Sequence, residues 1–174
     1  EIRDPFDFAE TREALNRLCA TYWPPLYCYV RQKGKNADEA QDLTQAFFCH
    51  MLEGGRFALA AHDRGRFRYF LMTSMDHFMA DVWRRDAAAK RGGRTAVFPL
   101  DFATAEGRYA WDHRPDADPR VVYDRHWAQT VLDAAAADER GLAADFVLAD
   151  EARDHLVRMS GGDARRALTA LEAA

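Results

Sequence analysis

The chain has 174 residues, of which 48% are hydrophobic and 30% are charged, a balance that suits one ordinary or two small globular domains. No apolar run approaches the roughly 20 residues of a transmembrane helix, and no signal-peptide pattern opens the sequence, so we expect a cytoplasmic protein without a membrane span. The first residue is Glu1 rather than methionine, which is compatible with a fragment.

The net charge of −4 is unevenly distributed along the chain. Residues 64–94 contain eight Lys or Arg and three Asp, which gives +5 for this segment and leaves −9 for the rest. Because charges act over a Debye length of about 10 Å at 0.1 M salt, local charge matters more than the total. The basic segment can therefore attract phosphate although the chain as a whole is acidic.

Hydrophobic residues recur at three- and four-residue steps along most of the chain, which predicts helices rather than strands. We predict helices over about 11–33, 37–52, 66–89, 119–138, 149–159 and 163–173. Residues 92–118 lose the periodicity, so we predict a linker over 96–118 with a short extended piece at "TAVFPLDF". The expected fold class is all-α, with a helical domain over 1–95, the linker, and a small helical segment over 119–174.

Local signals define the ends of the predicted helices. Pro24-Pro25 should break or kink the first helix, because proline lacks an N–H and disfavours helical geometry in the preceding residue. Asn36 is a good N-cap for the second helix, and Gly54-Gly55 should end it.

The second helix has a predicted apolar stripe and a polar side. The stripe consists of Ala40, Leu43, Phe47 and Met51. Asp42 and Gln45 fall away from this stripe, with Phe48 at its margin. Any amphipathic helix has a polar outer face, so this pattern alone does not indicate a function.

Rings and arginines are concentrated in "RGRFRYFLMTSMDHFMADVWRR", residues 64–85. The side predicted to be buried consists of Phe67, Phe70 or Leu71, Ser74, Phe78 and Val82. Aromatic rings stack on unpaired bases, and cations follow a phosphate backbone, so the remaining side chains suit single-stranded nucleic acid. An ordinary solvated face would also account for the arginines.

The string "ADEAQDLTQAFF" resembles the region 2.2 helix of sigma-70 family factors, especially the extracytoplasmic-function group, and residues 64–85 resemble their regions 2.3 and 2.4. The resemblance covers residues 10–95 and continues weakly into 119–133. It implies a sigma region 2 helical bundle that binds core RNA polymerase and melts the −10 element of promoter DNA. An anti-sigma factor is a further partner that the resemblance allows.

The same resemblance implies site residues. Asp42, Gln45 and Phe48 would contact the clamp helices of the polymerase β′ subunit. The implied DNA contacts are Arg64, Arg66, Arg68, Tyr69, His77, Trp83, Arg84, Arg85, Lys90, Arg91 and Arg94. Gln41-Asp42 and Gln45-Ala46 replace the usual Glu-Asp and Gln-Glu pairs, which removes two acids. His77 stands where many of these factors carry an Asn that meets the DNA.

The end of the chain has a different resemblance. From about Asp138 it is similar to the lid of clamp-loader-like, recombination-associated AAA+ ATPases, whose Gly-Asp-x-Arg motif supplies a sensor arginine to the nucleotide. The matching residue is Arg165 in "GGDARRAL". Because the sequence contains no GxxxxGK[ST] phosphate loop, we predict neither ATP binding nor hydrolysis.

No other motif indicates chemistry. The six histidines lack zinc-ligand spacing, "DHRPDADP" at 112–119 lacks the central Gly and terminal Glu of a calcium loop, and there is no nucleophile motif. Cys19, Cys28 and Cys49 have apolar neighbours and no CxxC spacing, which favours buried thiols in a reducing cytoplasm. We therefore predict a protein that is not an enzyme and has no cofactor or metal. Two alternatives stay open, namely a fragment of an AAA+ lid and a helical module that binds neither polymerase nor DNA.

Overall fold

The structure is a computed structural model that describes residues 8–53, 67–88, 101–137 and 148–172. Within these ranges the chain forms α-helices and no strand, which confirms the all-α prediction. The helices are α1 (Phe8–Gln32), α2 (Ala37–Glu53), α3 (Phe67–Ala88), α4 (Phe102–Asp112), α5 (Pro119–Ala137), α6 (Asp150–Ser160) and α7 (Ala164–Glu172). None of the described helices is long and apolar enough to cross a membrane.

Most helix ends follow the local signals in the sequence. Gly34 has a φ of 89°, a backbone conformation that glycine adopts readily, and it follows the end of α1. The Asn36 side chain accepts a hydrogen bond from the Glu39 N–H at 2.9 Å, and the Glu39 carboxylate accepts one from the Asn36 N–H at 3.1 Å. This reciprocal pair is a capping box, and it confirms Asn36 as the N-cap of α2.

The proline pair does not end α1. The helix continues through Pro24 and Pro25 to Gln32, so the predicted break is absent. Each proline removes one helical hydrogen bond. The next turn is held by packing, because Leu26, Tyr27 and the residues up to Val30 are almost completely buried. Tertiary packing therefore outweighs the local preference.

The segment predicted as a linker contains a helix. Helix α4 covers 11 residues and buries Ala105 and Tyr109, which lie one turn apart. Its apolar stripe is short, and Glu106 lies beside it in the interface with α1, so the hydrophobic periodicity is too weak to detect. The predicted extended piece at 95–102 lies mostly outside the described residues.

The described helices belong to two compact units. One, here called the five-helix unit, contains α1 and α4 to α7. The other, here called the helix pair, contains α2 and α3 within residues 35–101. This division differs from the predicted domain over 1–95, because α1 is grouped with helices that follow it by more than 70 residues.

Aromatic rings join α1 to α5 in the five-helix unit. Tyr22 stacks on Trp127 with ring centroids 4.6 Å apart, and Tyr29 meets Tyr123 edge to face at 6.2 Å. Tyr22 precedes Tyr29 in α1, whereas its partner Trp127 follows Tyr123 in α5. The two helices are therefore antiparallel. Helices α6 and α7 complete this unit over a buried cluster of Ala128, Leu132, Val157, Ala164, Ala167 and Leu171.

A polar cluster fixes α4 to α1. The Glu106 carboxylate accepts hydrogen bonds from the Tyr27 hydroxyl at 2.6 Å and from two Arg31 nitrogens at 2.7 and 2.8 Å. The Arg31 guanidinium also lies 4.7 Å from the centroid of the Tyr109 ring. The hydrogen bond from Arg31 lowers the pKa of Glu106, whereas burial raises the pKa of Tyr27. Glu106 is therefore held as a carboxylate.

Candidate nucleic-acid interface

The helix pair is held together by aromatic contacts. The Phe78 ring of α3 meets Phe47 of α2 edge to face at 5.8 Å and lies 5.2 Å from His50. Phe47 and Phe48 are themselves edge to face at 5.7 Å, and both are almost fully buried. These contacts fix which side of α3 is covered and which side is available to a ligand.

The buried side of α3 differs in part from the predicted one. Leu71 and Phe78 are buried as predicted, and Met72 and Met75 are buried as well. The other members of the predicted stripe are only half-buried: Phe67, Phe70, Ser74 and Val82. The difference arises because the covered arc centres on Leu71 and Met75, one residue beyond the arc that the sequence suggested.

The opposite side of α3 is largely exposed and is here called the α3 face. Its exposed side chains are Tyr69, Thr73, His77, Ala80, Trp83 and Arg84, with the half-buried Asp76 among them and the exposed Asp81 at its border. At about 100° of rotation per residue, these side chains fall within an arc of roughly 120°. The helix therefore brings four of the predicted DNA contacts, Tyr69, His77, Trp83 and Arg84, to one surface. Thr73 and Ala80 were not predicted, and only their helical spacing could have found them.

Two aromatic rings are unusually exposed on the α3 face. Trp83 is 74% exposed and Tyr69 is 45% exposed. The Arg68 guanidinium lies 4.8 Å from the centroid of the Tyr69 ring and donates a hydrogen bond to the Tyr69 hydroxyl at 3.0 Å. A cation beside an accessible ring provides both charge and a stacking surface in one place.

Arg84 forms an ion pair with Asp81, one turn away on the same helix. Both side chains are well exposed, at 70% and 55%, so water screens the pair and its contribution to stability is small. The sequence signal for this pair is the i, i+3 spacing on a helix. A phosphate group can displace Asp81 from Arg84 at little cost.

The basic character of the predicted site depends on residues beyond the described α3 face. Between Phe67 and Arg84 the helix has two Arg and two Asp, so this stretch carries no net charge with His neutral. The remaining predicted DNA contacts, Arg64, Arg66, Lys90, Arg91 and Arg94, lie outside the described residues, as does the side chain of Arg85.

The predicted polymerase contacts on α2 do not share one exposed face. Asp42 is exposed as predicted. Gln45 is only 8% exposed and Phe48 only 1%, so the prediction that they border the solvent side is wrong. Thr44 is completely buried whereas Leu43 is half-buried, which shows that the covered arc of α2 is wider and shifted toward Thr44 and Phe48. The two adjacent phenylalanines require this wider arc.

The described residues contain no metal site, because no three His, Cys, Asp or Glu side chains lie close enough together to hold an ion. Cys19 and Cys28 are buried as predicted, and Cys49 is half-buried. Burial raises the pKa of the Cys28 thiol, which makes that thiol a poor nucleophile. No pattern in the sequence singles out His126, which is 2% exposed on α5.

The helix hairpin at the end of the chain has the predicted turn. Gly161 and Gly162 both have positive φ, and the Asp163 carboxylate accepts hydrogen bonds from the N–H groups of Arg165 and Arg166. Asp163 therefore caps α7, and the side chain of Arg165 is exposed. The absence of ATP binding stays a prediction.

No protein-family model, curated protein or solved structure matches this chain.

Proposed function

We propose that this protein is a transcription initiation factor of the sigma type, which binds core RNA polymerase and holds single-stranded promoter DNA of the −10 element on the α3 face. The observation that carries the proposal is the placement of Tyr69, His77, Trp83 and Arg84 on one exposed side of α3. In this role the protein has no chemistry of its own and acts in the cytoplasm.

The chemistry of the α3 face suits unpaired bases. The Trp83 ring is about three-quarters exposed, so a base can reach it. Stacking of a base on such a ring contributes about 1–3 kcal/mol, and it requires a base that has left the double helix. Arg68 supplies a cation beside the Tyr69 ring, and Arg84 supplies a second one on the same helix, for contacts to a phosphate backbone.

The polymerase contact needs a revised set of residues. Asp42 remains available on α2, and Asp38 and Glu39 are also exposed in the first turn of the same helix. We propose that these acids, rather than Gln45 and Phe48, meet the polymerase. Asp42 is the member shared with the resemblance to sigma region 2.2, so it is the residue to test first.

The DNA proposal is tested by fluorescence anisotropy with a labelled single strand of −10 sequence and the matching duplex. We expect the single strand to bind more tightly. Trp83→Ala should weaken binding about five-fold or more, because one stacking contact is lost. The matched control is Trp111→Ala, since Trp111 is 81% exposed in the five-helix unit. Equal effects of the two substitutions, or a preference for duplex, would contradict the proposal.

The ion pair of Arg84 gives a prediction with the opposite sign. Asp81→Asn removes a negative charge and releases Arg84, so it should strengthen binding to the single strand. Arg84→Ala should weaken it and reduce the slope of log affinity against log salt by about 0.7, the value for one phosphate contact to a single strand. A solvated helix without a DNA role would show no change in either measurement.

Retention of core polymerase by the tagged protein tests the second part of the proposal. Asp42→Arg should reduce retention, because it reverses the charge at the centre of the exposed acids on α2. Glu151→Arg makes the same change at an exposed position of α6 and should not reduce it. Full retention by Asp42→Arg with unchanged helicity would favour a helical module without a polymerase role.

A further inference from the structure

Four exposed side chains surround the turn between α6 and α7. They are Arg158 and Met159 in the last turn of α6 and Arg165 and Arg166 in the first turn of α7, and we call them the hairpin surface. Met159 is 73% exposed. Three arginines and a methionine within nine residues are a strongly cationic and partly apolar surface.

The three arginines make no ion pair within the part of the chain that the structure describes. Other arginines of the same unit do. Arg153 and Arg108 both pair with Asp133, and Arg125 approaches Asp112. Acids are not scarce here, since Asp and Glu outnumber Arg by fourteen to nine over residues 102–174, which contain no Lys. Asp163 lies between these arginines in the sequence, and its carboxylate accepts the backbone hydrogen bonds that cap α7.

The hairpin surface is also rigidly placed. Gly161 and Gly162 donate backbone hydrogen bonds to Arg158 and Val157 at 3.1 Å, and Asp163 caps α7. A Cβ at Gly162 would lie 3.2 Å from the backbone of α5, which shows how closely the turn approaches that helix. The fixed backbone of the turn adds no entropy loss on binding, so the loss comes from the arginine and methionine side chains.

We propose that the hairpin surface is a docking site for an acidic amphipathic segment of another protein, whose carboxylates pair with the arginines and whose apolar side chains contact Met159. Arg and Met are enriched in protein interfaces, and the planar guanidinium matches the fork of a carboxylate. The inference goes beyond the proposed sigma function and does not depend on it.

Charge favours a short protein segment over nucleic acid. The cationic surface is short, since its three arginines lie within nine residues of a unit whose residues sum to −5, so it offers few contacts to a long polyanion. A short acidic helix needs to contact only the arginines, which lie within nine residues of one another in the sequence. The exposed thioether of Met159 has no role in binding phosphate, whereas it suits an apolar contact.

The test uses the full chain and a fluorescein-labelled amphipathic peptide of about 14 residues, or four helical turns, with Glu on one face and Leu on the other. We expect micromolar binding that the same peptide with Gln in place of Glu does not show. Arg158→Glu with Arg165→Glu should weaken binding at least ten-fold, or about 1.4 kcal/mol. Met159→Ser should weaken it less. Arg114→Glu, an exposed charge reversal elsewhere in the same unit, is the matched control and should have no effect.

Three results would overturn the proposal. These are equal affinity for the Glu and Gln peptides, unchanged binding by the double variant, or a higher affinity of the hairpin surface for a short duplex DNA. The Arg158→Gln with Arg165→Gln variant removes charge without reversing it and replaces the first variant if circular dichroism shows loss of helix. The peptide measurements do not involve the α3 face, and duplex binding counts against the proposal only if Arg158→Glu with Arg165→Glu removes it, so failure here leaves the DNA proposal to its own test.

Discussion

His126 is a titratable side chain enclosed within the five-helix unit. It is 2% exposed, and neither ring nitrogen makes a hydrogen bond of normal geometry among the described residues, although the Gln129 side chain lies near enough to favour the protonated ring. Burial lowers the pKa of His126 to about 4 from its ordinary 6.5, Asp112 opposes this shift, and Arg108 and Arg125 add to it. The folded protein therefore holds this imidazole neutral down to about pH 4.

The free energy of unfolding should fall as the pH drops from 7 toward 4. The unfolded chain takes up a proton on His126 near pH 6.5 and the folded chain only near pH 4, so the unfolded state binds more protons between these values. This one group contributes up to about 1.4 kcal/mol per pH unit in that window. Urea unfolding at a series of pH values should show a smaller slope for His126→Leu than for the parent.

The control for His126 is His155→Gln, because His155 is exposed on α6. Its slope should equal that of the parent chain. Since leucine also removes an unpaired buried polar group, His126→Leu should not be strongly destabilising at pH 7. If parent and His126→Leu lost stability equally on acidification, the buried imidazole would have no part in the pH dependence.

Glu106 should be the most sensitive carboxylate in the contact between α1 and α4. Glu106→Gln removes a charged acceptor shared by Tyr27 and Arg31, and we expect the free energy of unfolding to fall by about 1–2 kcal/mol. Asp81→Asn, which breaks the exposed pair with Arg84, should change it by less than about 0.5 kcal/mol. Chemical denaturation measures the free energy of unfolding of both variants. If the two substitutions lowered it by the same small amount, the polar cluster would not hold α4 against α1.

At the scale of elements, the turn between α6 and α7 depends on two glycines for different reasons. Gly161 has a φ of 64° with open space around it. Gly162 has a φ of 83°, and a Cβ there would lie 3.2 Å from the Arg125 nitrogen and the Asp124 carbonyl carbon. Gly161 is required because its φ is positive. Gly162 is required because its φ is positive and because a side chain there would collide with the backbone of α5.

Gly161→Ala should lower the free energy of unfolding by about 1 kcal/mol, since an alanine is forced to a positive φ. Gly162→Ala should lower it by at least about 1 kcal/mol more, because the added methyl group must push the hairpin away from α5. Thermal unfolding of the two variants compares them directly. Equal losses would mean that the hairpin does not approach α5 as closely as described.

At the scale of the whole molecule, the five-helix unit should fold without residues 35–101. Phe102 contacts Trp23, and Gly34 lies eleven residues after Trp23, just beyond the end of α1, or about 17 Å away. A Gly/Ser linker of about ten residues can span this distance. The excised chain should retain cooperative thermal unfolding by circular dichroism.

The opposite fragment should behave differently. A chain that ends at Asp101 leaves α1 without α4 and α5, which cover its buried residues from Trp23 to Val30. We therefore expect low helicity and no cooperative transition. A stable, cooperative 1–101 fragment would contradict the division into units and would favour the domain over 1–95 that the sequence resemblance implied.

What the sequence by itself determined is the set of helices with long apolar repeats and clear ends. Helices α2, α3 and α5 to α7 were predictable because their signals are local: apolar residues three or four apart, a capping residue such as Asn36 or Asp163, and a glycine after the last turn. The grouping of Tyr69, His77 and Arg84 on one side of α3 follows from the same spacing.

Only the tertiary structure decided which helices associate and which side chains they cover. Helix α4 and its place against α1 depend on Glu106 meeting Arg31, 75 residues earlier, and a local pattern carries no trace of that pairing. Gln45 and Phe48 lie at the edge of a helical stripe, where burial depends on how wide the covering helix is. Proline likewise fails to end α1, because packing between residues distant in sequence can exceed the local preference of any one residue.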